Sequence, residues 1–269
     1  MDRSILSVTL LVSASISLSA QWLTYPTPGI PRTADGKPNL SAPAPKMADG
    51  KPDLSGLWSV VRSDARPGRP LYDISTIAEG GALPLRPEAA ALAAQRAPFD
   101  SKLRVTEPKP NCLPQGPFLD DYDGWNQLVQ TPSLLINLTA WNKKYRLIHL
   151  DGRPLPVDPE PTWDGYSTAH WDGDVLVVET IGFNGRNWLD IHGNPISDAA
   201  KLTERYHRED FGHMTLLITV DDPTNYTKPW TVTFKKMFRA DTETLDEFCL
   251  ENEKDLSRIQ KANEAGKNK

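Results

Sequence analysis

From about residue 125 onward, apolar and β-branched residues occur in short runs separated by polar turns, and few of these runs have a helical period. Alternation with a period of two predicts β-strands that bury one face. A first strand is predicted from Leu54, in the run LSGLWSVV. The further predicted strands are 128–131, 134–141, 145–150, 166–171, 175–181, 202–208, 213–220, 230–238 and 244–249.

The turns between these runs favour an antiparallel sheet. Asp-Gly pairs begin at residues 35, 49, 123, 151, 164 and 172, and Asp-Gly suits a tight hairpin because glycine readily takes positive φ. Long crossover helices, which parallel strands need, are missing from the pattern. We therefore expect a mainly β fold, an antiparallel meander that forms a lipocalin-like barrel or a strongly curved sheet. One short helix is predicted near 86–97, with Pro87 and Glu88 in its first turn, and another in the polar C-terminal region.

The ends of the chain differ from this middle part. Arg3, an apolar and serine-rich stretch and small residues before Ala20 have the order of a secretory signal peptide over 1–20. Residues 21–53 are rich in proline and glycine and are expected to form a tether. They contain the near-duplicates ADGKPNLS (34–41) and ADGKPDLS (48–55), and deletion of 33–46 is expected to leave folding intact. A single β domain is predicted over 54–255, with an irregular insertion at 63–126 and a polar tail at 256–269.

The composition and the cysteine count limit the possible functions and the cellular location of the protein. The formal net charge of -5 argues against nucleic-acid binding, which requires a basic surface. No stretch of the mature chain is long and apolar enough for a transmembrane helix. The only cysteines are Cys112 and Cys249, and in an exported protein an even number favours a disulfide between them over two buried thiols. We expect a periplasmic or extracellular protein.

Sequence motifs of catalysis and cofactor binding are missing. The chain has no G-x-S-x-G elbow and no phosphate-binding glycine loop, so neither a serine nucleophile nor a nucleotide cofactor is predicted. The stretch DDYDGW, residues 120–125, lacks the spacing of a calcium loop and is interpreted as a turn. His207 and His213 lack the spacing of a zinc site. Neither a metal nor any other cofactor is expected.

Charged residues inside apolar strands are the candidate site. With a two-residue turn at Asp172-Gly173, Tyr166 would lie opposite Glu179, with His170 on the same face. In the strand LTERYHR, Glu204, Tyr206 and Arg208 share one face and Arg205 lies on the other. A cluster of glutamate, histidine, tyrosine and arginine could bind a polar group, whereas the alternative is that these charges face solvent. The candidate ligand-binding residues are Tyr166, His170, Glu179, Arg205, Tyr206, Trp163, Trp171 and Trp188.

Several stretches together resemble a family of exported bacterial proteins without an established activity: DGKPDLSGLW, PTWDGYSTAHWDGDVLVVETIGFN, LTERYHREDFGHM and DDPTNYTKPW. The resemblance extends from about residue 48 to 255 and implies export, but it assigns no catalytic residue. Gly56-Leu57-Trp58 also resembles the Gly-x-Trp of the first strand in lipocalins. That weaker resemblance implies a barrel that holds a small ligand at its mouth.

Three functions are therefore open. The first is binding of a small, mostly apolar molecule in the barrel, suggested by the meander and by eight tryptophans. The second is a cofactor-independent hydrolase, lyase or isomerase that uses Glu179 with His170 or Tyr206. The third is an interaction module of the cell envelope.

Overall fold

The computed structural model describes residues 25–61, 74–98, 102, 106–244 and 247–249. The predicted signal peptide, the polar tail and the C-terminal helix therefore lie outside the described residues. The described residues contain two α-helices, α1 at Pro87–Arg96 and α2 at Pro117–Asp123, with 3-10 turns at Ile74–Thr76 and Lys109–Asn111. The strands are β1 Gly56–Val60, β2 Trp125–Gln130, β3 Leu134–Thr139, β4 Tyr145–His149, β5 Tyr166–Asp172, β6 Val175–Ile181, β7 Lys201–Arg208, β8 His213–Asp221 and β9 Trp230–Phe238.

These nine strands form a closed barrel in sequence order, in which β9 pairs with β1. The predicted β-barrel is confirmed, but it is not wholly antiparallel. Strict alternation of direction cannot close a ring with an odd number of strands, so at least one neighbouring pair must run parallel. That pair is β4–β5, and the connection at 150–165, which contains four prolines, returns the chain from one end of the barrel to the other.

Alternation along the strands fills the barrel with side chains. The prediction that Glu204 and Tyr206 share a face is confirmed, and that face points inward, since both residues are fully buried. On β6, Leu176, Val178 and Thr180 point inward. Burial of so much apolar surface is the main driving force for folding. The buried inward-facing apolar residues include Trp58, Leu128, Leu135, Ile148, Leu202, Leu216, Ile218, Val220, Val232 and Phe234.

Helix α2 closes one end of the barrel, which we call the helix end. The helix begins with Pro117, whose fixed φ suits the first turn, and places the Phe118 ring 5.9 Å from that of Phe234. Tyr122 stacks on the same Phe234 at 5.2 Å. The prediction of a turn at 120–125 is wrong, because α2 continues to Asp123 and β2 begins at Trp125. Helix α1, by contrast, is confirmed at its predicted position.

The proline-rich segment before β1 packs against the opposite end of the barrel instead of forming a tether. Each near-duplicate forms a small hairpin, closed by the bridges Arg32–Pro38 and Lys46–Pro52. The chain between the hairpins is held by the barrel, since Gly212 donates its N–H to the Leu40 carbonyl at 2.7 Å. Ala42 is buried in the core. The expectation that 33–46 is dispensable for folding does not agree with these contacts.

The predicted disulfide is present between Cys112 and Cys249, whose Cα atoms are 5.4 Å apart. It ties residues 247–249 to the helix end, beside the β3–β4 turn. The strand predicted at 244–249 does not form in the described residues, where Glu247 makes only an isolated bridge to Trp141. Among the helices of the described residues, none combines the length and apolar character needed to cross a membrane.

Candidate functional site

A buried ion pair lies inside the barrel between β4 and β7. Arg146 donates from Nη1 to Glu204 Oε1 at 2.9 Å, and its Nη2 contacts Oε2 of the same carboxylate. Nη2 also donates to Thr180 Oγ1 at 2.7 Å, and Nε donates to Ser167 Oγ at 3.1 Å. Burial opposes the charge on Arg146, but Glu204 raises the pKa of the guanidinium well above its ordinary value. Four hydrogen bonds to Glu204, Thr180 and Ser167 thus compensate the burial of the guanidinium.

Tyr206 connects this ion pair to a second one. Its hydroxyl lies 3.0 Å from Glu204 Oε1 and 3.2 Å from Asp121 Oδ2, and its one hydrogen can be donated to either carboxylate. Burial, together with both negative charges, raises the pKa of Tyr206 well above 10.0. Asp121 also contacts Lys236 Nζ, which donates to Asn126 Oδ1 at 2.9 Å. The side chains of Arg146, Glu204, Tyr206, Asp121 and Lys236 thus form one network that binds α2 to the barrel wall.

The next residue of α2, Asp120, turns toward the rim of the helix end. Its carboxylate contacts Lys144 Nζ, which lies 2.5 Å from Asp164 Oδ1. Burial raises the pKa of Asp120 to about 7, against the attraction of Lys144. Burial lowers the pKa of Lys144, but the two carboxylates raise it more, so the ammonium is retained. Asp120 is consequently able to gain or lose a proton near neutral pH.

Two pockets at this rim adjoin the Asp120–Lys144 pair. The larger has a volume of about 440 Å³ and is mostly apolar, with Phe248 and the disulfide among its walls. The smaller, of about 220 Å³, is bordered by polar groups that include Gln115 and Asp120. Trp141 contributes to both pockets. Trp141 therefore lies at the border of an apolar pocket and a polar one.

The side chain of Trp141 carries a buried hydrogen-bond donor. Its Nε1 atom is buried, and no described residue accepts its hydrogen bond. An unpaired buried donor costs on the order of 1–3 kcal/mol, because the group loses its water and gains nothing in return. Glu247 pairs with Trp141 through the main chain, and Lys109 Nζ lies 5.0 Å from the ring centre. The indole is thus held in place with its N–H buried and without an acceptor among the described residues.

Gly116 allows the close approach that builds this rim. Its φ is 80°, and a Cβ at this position would lie 2.1 Å from the Asn187 side-chain nitrogen. That nitrogen donates to the Trp163 carbonyl at 2.6 Å. Any side chain at Gly116 would therefore disturb both α2 and the segment before β5.

Most of the residues proposed from the sequence are not brought together. Glu179 lies on the outer face and contacts Lys201, and Arg205 pairs with Asp172 at 2.8 Å, also outside. His170 is exposed on the same outer face. The remaining members of the candidate set are located as follows: Tyr166 outside against Arg153, Tyr206 inside, Trp163 under Arg186, Trp171 near Lys51, and Trp188 buried against Arg96.

The predicted pairing of β5 with β6 is shifted by two residues. The turn is Gly173-Asp174, so Glu179 lies opposite Thr168 and His170 lies opposite Val177. A shift of two keeps every side chain on its predicted face. The prediction of which residues share a face was therefore correct, although the opposite pairs were wrong.

The buried charges were missed, although alternation contained a signal for them. Lys236 occupies an inward position between Phe234 and Phe238, and Arg146 precedes inward-facing Ile148 by two residues. A charge on the apolar face of a strand indicates a buried partner. No comparable signal marked Asp120, because its position depends on a helix that the sequence pattern did not predict.

Within the described part of the chain, no group of three or more histidine, cysteine, aspartate or glutamate side chains is arranged to hold a metal ion. No protein-family model and no curated protein matches the chain. The resemblances to an exported family and to lipocalins therefore stay predictions.

Proposed function

We propose that the protein binds a small molecule at the helix end of the barrel, against Trp141. The observation that carries this proposal is the buried Nε1 donor of Trp141, which has no partner among the described residues, on a residue that lines two pockets. A ligand that supplies an acceptor would satisfy this donor. Binding sites of this kind combine apolar walls with a few fixed polar groups.

The walls indicate an amphiphilic ligand. Its apolar body fits the pocket beside Phe248 and the disulfide. The volume of that pocket, about 440 Å³, is within the usual range for small-molecule sites. Its polar end would face Gln115 and Asp120 in the smaller pocket. The sequence predicts an apolar ligand inside the barrel; we propose the rim instead, because side chains of the described residues occupy the core of the barrel.

The proposal is tested by extracting purified protein with solvent and analysing the extract by mass spectrometry. Wild type is compared with Trp141→Phe, which keeps an aromatic wall but removes the N–H, and with Trp171→Phe at the other end of the barrel. We expect a compound at a fixed ratio to protein in wild type and Trp171→Phe, and its depletion in Trp141→Phe. Equal recovery from all three proteins would refute the site.

We further propose that the protein acts outside the cytoplasm. The disulfide supports this, since such bonds persist in oxidising compartments, and so does the predicted signal peptide. N-terminal sequencing of the exported protein should begin near residue 21. An intact Met1 in the exported fraction would contradict cleavage.

A second candidate function is acid–base catalysis at the same rim. It is favoured by Asp120, whose raised pKa allows both protonation states near neutral pH, and by the adjacent Lys144 ammonium. This differs from the predicted cluster of Glu179 and His170, which lies on the outer face. If the extracted compound is consumed by wild type but only bound by Asp120→Asn, the protein is an enzyme; if wild type leaves it unchanged, the protein is a binding protein. An envelope partner stays a prediction.

A further inference from the structure

We propose a second binding site, for a small carboxylate or phosphate that carries an aromatic body, on the outer wall where β1, β2 and β9 meet. A pocket of about 430 Å³ lies there, and Arg239, Trp125 and Tyr122 are among its walls. It shares Gly124 with the 220 Å³ rim pocket but contains neither Trp141 nor Asp120. The two sites would therefore use different side chains to bind their ligands.

The guanidinium of Arg239 is fixed in this pocket. The main-chain N–H of Arg239 donates to the Leu57 carbonyl at 2.7 Å, which continues the β9–β1 pairing beyond the strands. Its Nε donates to Ser59 Oγ at 2.6 Å, and the guanidinium carbon lies 5.6 Å from the Trp125 ring centre. The side chain is consequently oriented before any ligand arrives, which lowers the entropic cost of binding.

The outer edge of the Arg239 guanidinium has no partner among the described residues. Neither terminal amino group of Arg239 donates a hydrogen bond to a described residue, and no carboxylate of the described residues forms an ion pair with it. Arginine presents its donors in a planar fork that matches the oxygens of a carboxylate or phosphate. The terminal amino groups of Arg239 are therefore suited to bind a carboxylate or a phosphate.

Aromatic surfaces next to the fork specify the rest of the ligand. Trp125 is 37% exposed although it is a large aromatic residue on a strand, and Tyr122 and Met237 complete the apolar walls. A ring in the ligand would cover these surfaces and add stacking to the charge contact. A planar anion with a single aromatic ring fits this combination of volume, charge and apolar area.

Benzoate is the probe for this site, titrated into the full chain by calorimetry, with acetate and benzamide as comparisons. We expect saturable binding of benzoate with a Kd on the order of 1–10 mM, typical for so few ligand atoms. Acetate, which lacks the ring, and benzamide, which lacks the charge, should each bind at least about tenfold more weakly.

Variants locate the binding. Arg239→Gln should weaken benzoate about tenfold or more, whereas Arg205→Gln, which removes an outer arginine on β7, should leave the affinity unchanged. Trp141→Phe should also bind benzoate normally, so a failure here is distinguishable from a failure of the rim site. The proposal is overturned if wild type shows no saturable binding, if Arg239→Gln binds as wild type does, or if benzamide or acetate binds as tightly as benzoate.

Discussion

Replacement of Glu204 by glutamine should destabilise the protein far more than the same replacement of Glu179. Both residues lie on neighbouring strands and both contact a cation, Arg146 or Lys201. They differ in burial, because the Glu204 side chain is 0% exposed and that of Glu179 is 33% exposed. The comparison therefore isolates the effect of burying a charge.

The expected magnitudes follow from this difference. Glu204→Gln leaves the guanidinium of Arg146 buried without its counter-charge, which costs about 3–5 kcal/mol of unfolding free energy. Glu179→Gln releases Lys201 into solvent and should cost about 0–1 kcal/mol. The double variant Arg146→Met/Glu204→Leu removes both charges and should recover much of the loss, since an apolar pair avoids the desolvation penalty.

Urea unfolding followed by circular dichroism measures these values, and the slope of each transition shows whether the same surface is exposed. Glu204→Gln should shift the midpoint strongly and Glu179→Gln little. A loss below about 1 kcal/mol for Glu204→Gln would mean that the buried pair is solvated or broken in solution, and the description of the core would be wrong.

Three further predictions concern other parts of the chain. Replacing both Cys112 and Cys249 by serine should lower the unfolding free energy measured in urea by up to about 5 kcal/mol, because the disulfide closes a loop with a sequence separation of 137. If reductant leaves the stability of the wild-type protein unchanged, this prediction is wrong. The unfolding free energy should fall by up to roughly 4 kcal/mol as pH rises from about 4 to 7, because the Asp120 carboxyl keeps a proton in the folded protein that it has lost in the unfolded chain. An equal pH dependence in Asp120→Asn would refute the raised pKa. Deletion of 33–46 removes two main-chain hydrogen bonds, to Phe211 and Gly212. At about 1 kcal/mol per hydrogen bond, Tm should fall by roughly 4–8 °C. An unchanged Tm would support the original interpretation of this segment as a tether.

The sequence predicted those parts of the fold that depend on local periodicity. Alternation identified the faces of β6 and β7, and Pro87 with Glu88 located α1, because these signals depend on neighbouring residues alone. The parallel β4–β5 pair was not predictable in this way, since it follows from closing an odd ring, which is a property of the whole sheet.

The candidate site shows the same division. The disulfide that ties down residues 247–249 was predicted from the cysteine count. The role of Trp141 was not, because its environment comes from distant segments that meet only in the folded chain. Glu179 attracted attention as a charge within an apolar strand, but its alternation with Val178 and Thr180 places it outside.

The indole N–H resonance of Trp141 tests the proposed ligand site most directly. In ¹⁵N-labelled protein, Trp141→Phe identifies this resonance among those of the eight tryptophans. Adding the co-purifying compound to protein stripped of it should move the Trp141 signal downfield, as its N–H gains an acceptor, and should slow its exchange with solvent. If the compound shifts other indole signals and leaves that of Trp141 unchanged, the ligand binds elsewhere and the proposed site is wrong.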